Sequence, residues 1–521
     1  MIHPLRVVIK YPAMQRPRLL LPALALLIAL VGCGRADPLR PDTLVVGLEG
    51  NPTALDPRLA QDAYSTRIVP LLFEGLFELD ENAEPVPLLA ADWYQPDDLT
   101  FIFSLAPGRR DPEGRELTAA DVIYTLASLT DPRLRSPRSA LFGRLEDLVA
   151  LDDRTVLIRL KEPYAPILTD LTLGIVPAAA ARGDGFAAAP AGTGPYRVER
   201  WETGAEVVLT PNPNYQGPKP AIPRLVFRVQ PDDVTRTLAL ERGEVQLLLN
   251  NLPPDDLPSV IANPRLKVMQ QPGVNYSYLG FNLKDEKLSD PRVRRAIALA
   301  IDRAKIADCL LEGTVTLADS LLAPGNWARA EVKSPGHDPA AAMALLDEAG
   351  YPDPDGPGPK PRFKLSYKTS TNKQRRWIAD AIADQLGAVG IETEVRSYEW
   401  GVFFADILAG NFQMYSLTWV GITDPDIYYL AFHSASAPPA GSNRNRYGNP
   451  EVDRLAEEGR RTLDREGRRR AYAQIQSILA DELPYVSLWY GNDLAAMDRR
   501  LVGFKFYPGG DFRSLSRARW E

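Results

Sequence analysis

Apolar residues fall into two kinds of run along this chain. Short β-branched runs, such as TLVVGL (43–48), LTFIFSLAPG (99–108) and RTVLIRLKEP (154–163), read as strands, each closed by glycine or proline. Between such runs the apolar positions recur three and four residues apart, which predicts helices with one buried face. Val122, Ile123, Leu126 and Leu129 form one stripe behind Thr118, with Asp121 at the third helical position as a near capping box. Val293, Ala296, Ile297, Ala300 and Ile301 form another, started by Asp290 as cap and Pro291 in the first turn. Residues 66–80 are expected to be helical, with Pro70 in the first turn or at a kink. Residues 224–248 read as strand, turn, helix, strand. Residues 361–400 read as strand, helix, strand, with Gly390 ending the helix. Pro450 opens a helix after Asn449, Pro484 closes the next, and VSLWY (486–490) and LVGFKFY (501–507) are the last strands. Alternating α and β segments over 521 residues give an α/β protein with more than one mixed sheet and several domains.

The amino terminus breaks this alternation. Residues 19–32 are uncharged, and Arg6, Lys10, Arg16 and Arg18 precede them with no acid. Fourteen residues are too few to span a bilayer, which takes about 20, so the layout is that of a secretory signal. LVGC (30–33) resembles a bacterial lipobox, which makes Cys33 the expected lipidation site and residues 34–42 a polar tether.

One stretch stands out by its rings. Residues 416–434 hold Trp419, Tyr428, Tyr429, Phe432 and His433 around Gly421 and the Asp424-Pro425-Asp426 turn. This reads as a strand that stops and becomes a loop, and a loop so rich in rings often lines a pocket; on this stretch alone a buried strand followed by a helix start is the favoured reading. Composition narrows the function. A net charge of -7 argues against a nucleic-acid partner. The 47 prolines are nearly twice the usual ~5% and imply many fixed turns. Two cysteines 276 positions apart make no disulfide framework, and Cys309 reads as a small core residue. With three histidines, and without a zinc-protease, Walker or nucleophile-elbow motif, nothing indicates an enzyme, a metal site or a cofactor. GTG (192–194) has Arg197 where a third dinucleotide-loop glycine would stand, and residues 353–359 read as a proline-rich turn.

Six segments in order resemble the extracellular solute-binding proteins of bacterial ABC importers, in the family with the oligopeptide and dipeptide binders (family 5). They are LDPRLAQDAYSTRIVPLLFEGL (55–76), LTAADVIYTL (117–126), GTGPYRVERW (192–201), YLGFNLKDEKLSDPRVRRAIALAIDR (278–303), HDPAAAMALLDEAGY (337–351) and RYGNPEVDRLAEEGRRTLD (446–464). The resemblance implies a two-lobed periplasmic-binding-protein fold with an extra subdomain in the first lobe. Residues 1–32 would be the signal and 33–42 the tether. Lobe I would hold 43–83, 191–281 and 491–521, with 84–190 as its added subdomain, and lobe II would hold 282–490. The hinge would lie near residues 281–282 and 490–491. A lipid-anchored, monomeric receptor in the cell envelope, handing a peptide or another small solute to an ABC permease, is the implied function. An oligosaccharide or metal-chelate binder and a ligand-sensing subunit are alternatives within the fold, and an exported hydrolase is one outside it.

By the same resemblance, Thr418, Trp419, Val420 and Gly421 would bond a peptide backbone as an added strand, and Gln61, Asp62 and Ala63 would grip it from the other lobe. Trp400 matches a pocket tryptophan; Tyr64, Tyr276 and Tyr278 are further candidates, with core packing the alternative for every ring. The family aspartate for a peptide amino terminus falls on Ile422, and two arginines fall on Ile407 and Ser416. Fixed ionic clamps are therefore expected to be missing, unless Asp424 or Asp426 substitutes; their alternative role is turn and helix capping.

Overall fold

Thr43–Leu48 buries every residue, as a strand inside a sheet covered on both faces must. Leu44, Val46 and Leu48 face one apolar core and Val45 the other, as the two-residue repeat of a strand requires. In the computed structural model, which describes residues 42–183, 185–356 and 358–521, this strand belongs to an eleven-stranded mixed sheet. The order is Ile391–Tyr398, Phe363–Ser370, Met414–Trp419, Leu266–Phe281, Tyr485–Asp498, Leu247–Leu249, Thr43–Leu48, Arg224–Val229, Glu206–Pro211 and Tyr196–Glu202, with Val315–Leu317 also paired to Tyr485–Asp498.

Two strands tie the halves of this sheet together. Leu266–Phe281 and Tyr485–Asp498 run antiparallel, with a register shift between Gln271 and Asn275. One end of this ribbon pairs with Leu247–Leu249 through Met497, Ala496 and Ala495, and the other end pairs with Met414–Trp419. Separate cores flank the two halves: Leu279, Ile297, Ile382 and Ile391 fill one in the second half, and Tyr278, Phe403, Tyr415 and Tyr472 another. This is the two-lobed α/β arrangement. A four-stranded antiparallel sheet, ordered Ala90–Asp97, Thr100–Leu105, Thr155–Leu160 and Leu145–Asp152, packs on helix Ala119–Leu129 around its own core.

The local start signals act as read. Asp121 accepts the Thr118 backbone N–H at 2.7 Å, and Asp290 and Asn449 accept backbone N–H groups at the starts of Pro291–Ala300 and Pro450–Arg461. Three expectations change. Residues 66–80 are not one helix: Ala63–Ile68 passes into a tight turn at Val69–Leu71, around Pro70, and Phe77–Leu79 is a strand. VSLWY is part of a fourteen-residue strand, whereas LVGFKFY contributes only Leu501–Val502. Cys309 is exposed, since helix Arg303–Leu310 buries Ile306 and Ala307, and a residue two places after Ala307 points the opposite way.

The GTG segment has a packing explanation. A Cβ on Gly192 would meet the Phe73 ring at 2.3 Å, and one on Gly194 the Leu72 backbone at 2.5 Å. Gly194→Ala is therefore expected to cost roughly 1–3 kcal/mol through overpacking, read as a lower urea midpoint with the slope unchanged.

Candidate functional site

A cavity of about 390 Å³ lies where the two half-sheets meet. Asn250, Leu252, Pro254 and Leu494 line it from one half, and Ser416, Thr418, Asn275, Ser277 and Arg375 from the other. Strand alternation explains the choice. Asn275 and Ser277 turn one face to the cavity, so Tyr276 and Tyr278 turn to the opposite face and are buried in the core. The Tyr276 hydroxyl meets Ser487 at 2.7 Å, and the Tyr278 and Tyr485 rings stack at 4.0 Å. For these two tyrosines the packing alternative is the one realised.

The cavity wall includes an open strand edge. Met414–Trp419 pairs with Leu266–Phe281 along its whole length, but with Phe363–Ser370 only at Tyr367↔Met414 and Lys368↔Tyr415. From residue 416 onward the main chain on that side pairs with no strand among the described residues. Thr418 shows its side chain to the cavity, with its hydroxyl 2.9 Å from that of Ser277. Trp419, one residue on, faces away and lies under the Arg444 guanidinium at 4.4 Å. Val420 is exposed, and Gly421, at φ +68, donates its N–H to Asn275 Oδ1 at 2.9 Å. Only glycine holds that left-handed turn without strain.

Charge enters through a residue the sequence reading passed over. Arg375, in the first turn of helix Lys373–Gly387, lines the cavity with its guanidinium 5.2 Å from the centre of the Trp400 ring. No ion pair engages it among the described residues. Burial depresses its pKa, opposed by the negative charge of Glu49. Trp400, 46% exposed, stacks on Phe404 at 5.6 Å, and Arg444 covers Phe404 at 5.5 Å, so a run of cation and ring contacts links Arg375 to Trp419. The expected lack of a fixed cation in the cleft is thus corrected by Arg375. Lys373, Arg375 and Arg376 stand together at a helix amino terminus, where the dipole disfavours cations.

Gln61, Asp62, Ala63 and Tyr64 do not line this cavity. Gln61 and Ala63 are exposed, and Asp62 caps its own helix, with Oδ1 accepting Ser65 N–H at 2.8 Å and Oδ2 accepting the Thr53 hydroxyl at 2.6 Å. Burial raises the Asp62 pKa, yet the Ser65 and Thr53 bonds outweigh it and leave it below the ordinary value. A depressed carboxyl lends stability above its unfolded pKa and loses it as pH falls through the folded one. Asp62→Ala is expected to cost about 1 kcal/mol at pH 7 and less in acid, measured by urea titrations at pH 7 and pH 3. Tyr64 packs its ring against Gly50, and burial beside Glu49 pushes its hydroxyl up to about 12.

The rest of the aromatic stretch is structural. Tyr428 and Phe432 are core residues, and His433 stacks on Tyr429 at 4.2 Å. Asp424 pairs with Arg468 at 3.0 Å, and Asp426 takes two bonds from Arg460 at 2.8 and 2.7 Å, so neither acid is free to hold a ligand. Cys33 lies outside the described residues. No helix among the described residues is long and apolar enough to cross a membrane.

Comparisons agree with this architecture. The chain is 28% identical over 496 residues to the oligopeptide-binding protein AppA of Bacillus subtilis, covering 91% of each chain. The AppA structure in complex with a nonapeptide superposes with a TM-score of 0.77 at 27% identity, covering 92% of this chain and 99% of that one. The dipeptide-binding protein of Escherichia coli is 26% identical over 518 residues, covering 93% of this chain and 96% of its own. The ABC transporter substrate-binding protein CtaP of Listeria monocytogenes gives a TM-score of 0.83 at 26% identity, covering 92% and 99%. A family model for the middle region of bacterial extracellular solute-binding proteins, family 5, matches residues 84–439. Proteins of that family bind solutes for ABC transporters and are not enzymes. The chain belongs to the bacterial extracellular solute-binding proteins of family 5.

Proposed function

We propose that this protein binds a short, extended peptide-like solute, whose main chain pairs with the open edge at residues 416–419 and whose carboxylate meets Arg375. The observation that carries this reading is the coincidence, in one cavity, of a strand edge left unpaired from residue 416 with a buried cation that no ion pair engages among the described residues. Main-chain pairing supplies affinity without regard to side chains, and the guanidinium supplies a fixed end. The bound solute then bridges both lobes and shifts the population toward the shut form.

The domain division is part of the same proposal: 84–190 is the added subdomain, and the lobes exchange chain along the two-stranded ribbon. The hinge of this reading is at residues 271–275 and 491–493. That is earlier on the first strand than the 281–282 crossing implied by the resemblance, because Tyr276 and Tyr278 already pack in the second lobe's core. A monomeric receptor lipidated at Cys33, facing the periplasm or the cell surface and feeding an ABC permease, completes it.

A thermal-shift panel tests the solute class. Peptides of two to nine residues with a free carboxylate should raise the melting temperature, since ligand at 100 times Kd adds about 2.7 kcal/mol to the folded state. Their amidated forms should raise it less. A shift produced by oligosaccharides or metal chelates, with none from any peptide, would overturn the proposal.

A further inference from the structure

The added subdomain touches the second lobe directly. The Ala165 N–H donates to the Arg460 carbonyl at 2.8 Å, Arg461 lies 3.6 Å from Glu162, and Arg465 pairs with Glu84. Residues 84, 162 and 165 belong to the segment that carries the four-stranded sheet; Arg460, Arg461 and Arg465 belong to helices Pro450–Arg461 and Arg465–Glu482. Tyr164, fully buried, is covered by Arg144 at 3.8 Å from its own unit and has Arg460 at 5.9 Å from the other. Arg460 in turn lies 3.4 Å from the centre of the Tyr429 ring and holds Asp426. Asp426 stands seven residues beyond Trp419, on the loop that leaves the open strand edge.

These contacts make a bridge between the lobes that shares no residue with the cavity lining. We propose that residues 84–190 are a clasp: they grip the second lobe through Glu84, Glu162 and the Ala165 amide, and favour the shut arrangement before any solute is present. The inference rests on the reading that the lobes open and close. Its energetics are those of a bias. Two of the links are exposed ion pairs, each modest and screened by salt, and the third is one backbone hydrogen bond. A clasp of this strength sets how often the empty protein opens, and so tunes uptake and release without touching the ligand.

The test uses the full mature chain without added ligand, labelled with one fluorophore on each lobe, and reads the open-to-shut ratio by single-molecule energy transfer. The E84Q/E162Q pair should raise that ratio about five-fold, as should 1 M sodium chloride on the unaltered protein, and salt should then add little to the double variant. E113Q, which removes an exposed pair inside the subdomain, should leave the ratio unchanged. Both tested carboxylates are at the surface, so folding is not at stake, and the melting temperature checks it. Two interconverting distances that neither salt nor E84Q/E162Q alters would overturn the clasp alone. A single distance under every condition would overturn the closing motion, and the clasp with it. A five-fold rise with E113Q as well would reduce the effect to net charge and also overturn the clasp.

Discussion

Arg375→Met weakens binding of peptides with a free carboxylate by roughly 30- to 150-fold and leaves binding of amidated peptides nearly unchanged. A hydrogen bond to a charged group contributes about 2–3 kcal/mol at a site withdrawn from water, which converts to that ratio. The guanidinium of Arg375 already bears the desolvation cost, since burial depresses its pKa and it has no ion-pair partner among the described residues. It is also oriented, because Trp400 lies beneath it at 5.2 Å. Methionine keeps the apolar stem against that ring and removes only the fork. Arg375→Lys restores part of the affinity, since an ammonium offers a charge but no planar pair of donors. Calorimetric titration of matched free and amidated peptides checks this; equal losses for both forms would remove Arg375 from carboxylate recognition.

Asp426→Ala lowers stability by about 3–5 kcal/mol, because it leaves Arg460 charged and unpaired in a largely buried position. Both side chains are nearly closed to solvent, at 11% and 14% exposure, and they share two bonds. Removing both members, as D426A/R460A, should cost less than the sum of the single changes, since no stranded charge remains. Urea denaturation of the three variants measures the coupling.

Helix starts were legible because a cap acts within one turn. Asp290, Asn449 and the Thr118–Asp121 box each bond backbone two or three residues away, so nothing distant competes. The long ribbon strand was not legible. Gln270, Gln271, Pro272, Gly273 and Asn275 interrupt its apolar pattern, and they do so where the strand passes between lobes and has no single core to face. Cys309 was misread for a related reason: an eight-residue helix offers too few turns to say which of several apolar residues points inward. Of the residues named from the sequence, Thr418 lines the cavity and Trp400 lies beside Arg375, which itself carries no local signal because an arginine among basic neighbours reads as a solvated face.

The linear order of residues by itself determined the α/β alternation, the helix caps, the absence of enzyme motifs and the family resemblance, all of which depend on near neighbours or on ordered segments. Only the tertiary structure decided which way each ring of the aromatic stretch points and which charges are spent. Thr418 and Trp419 separate because strand alternation sends adjacent side chains to opposite faces, and pairing with Leu266–Phe281 selects which face meets the cavity. Asp424 and Asp426 are taken by arginines 44 and 34 positions away, whereas no ion pair among the described residues engages Arg375. Pairing over such distances follows from packing in space, which no local pattern records.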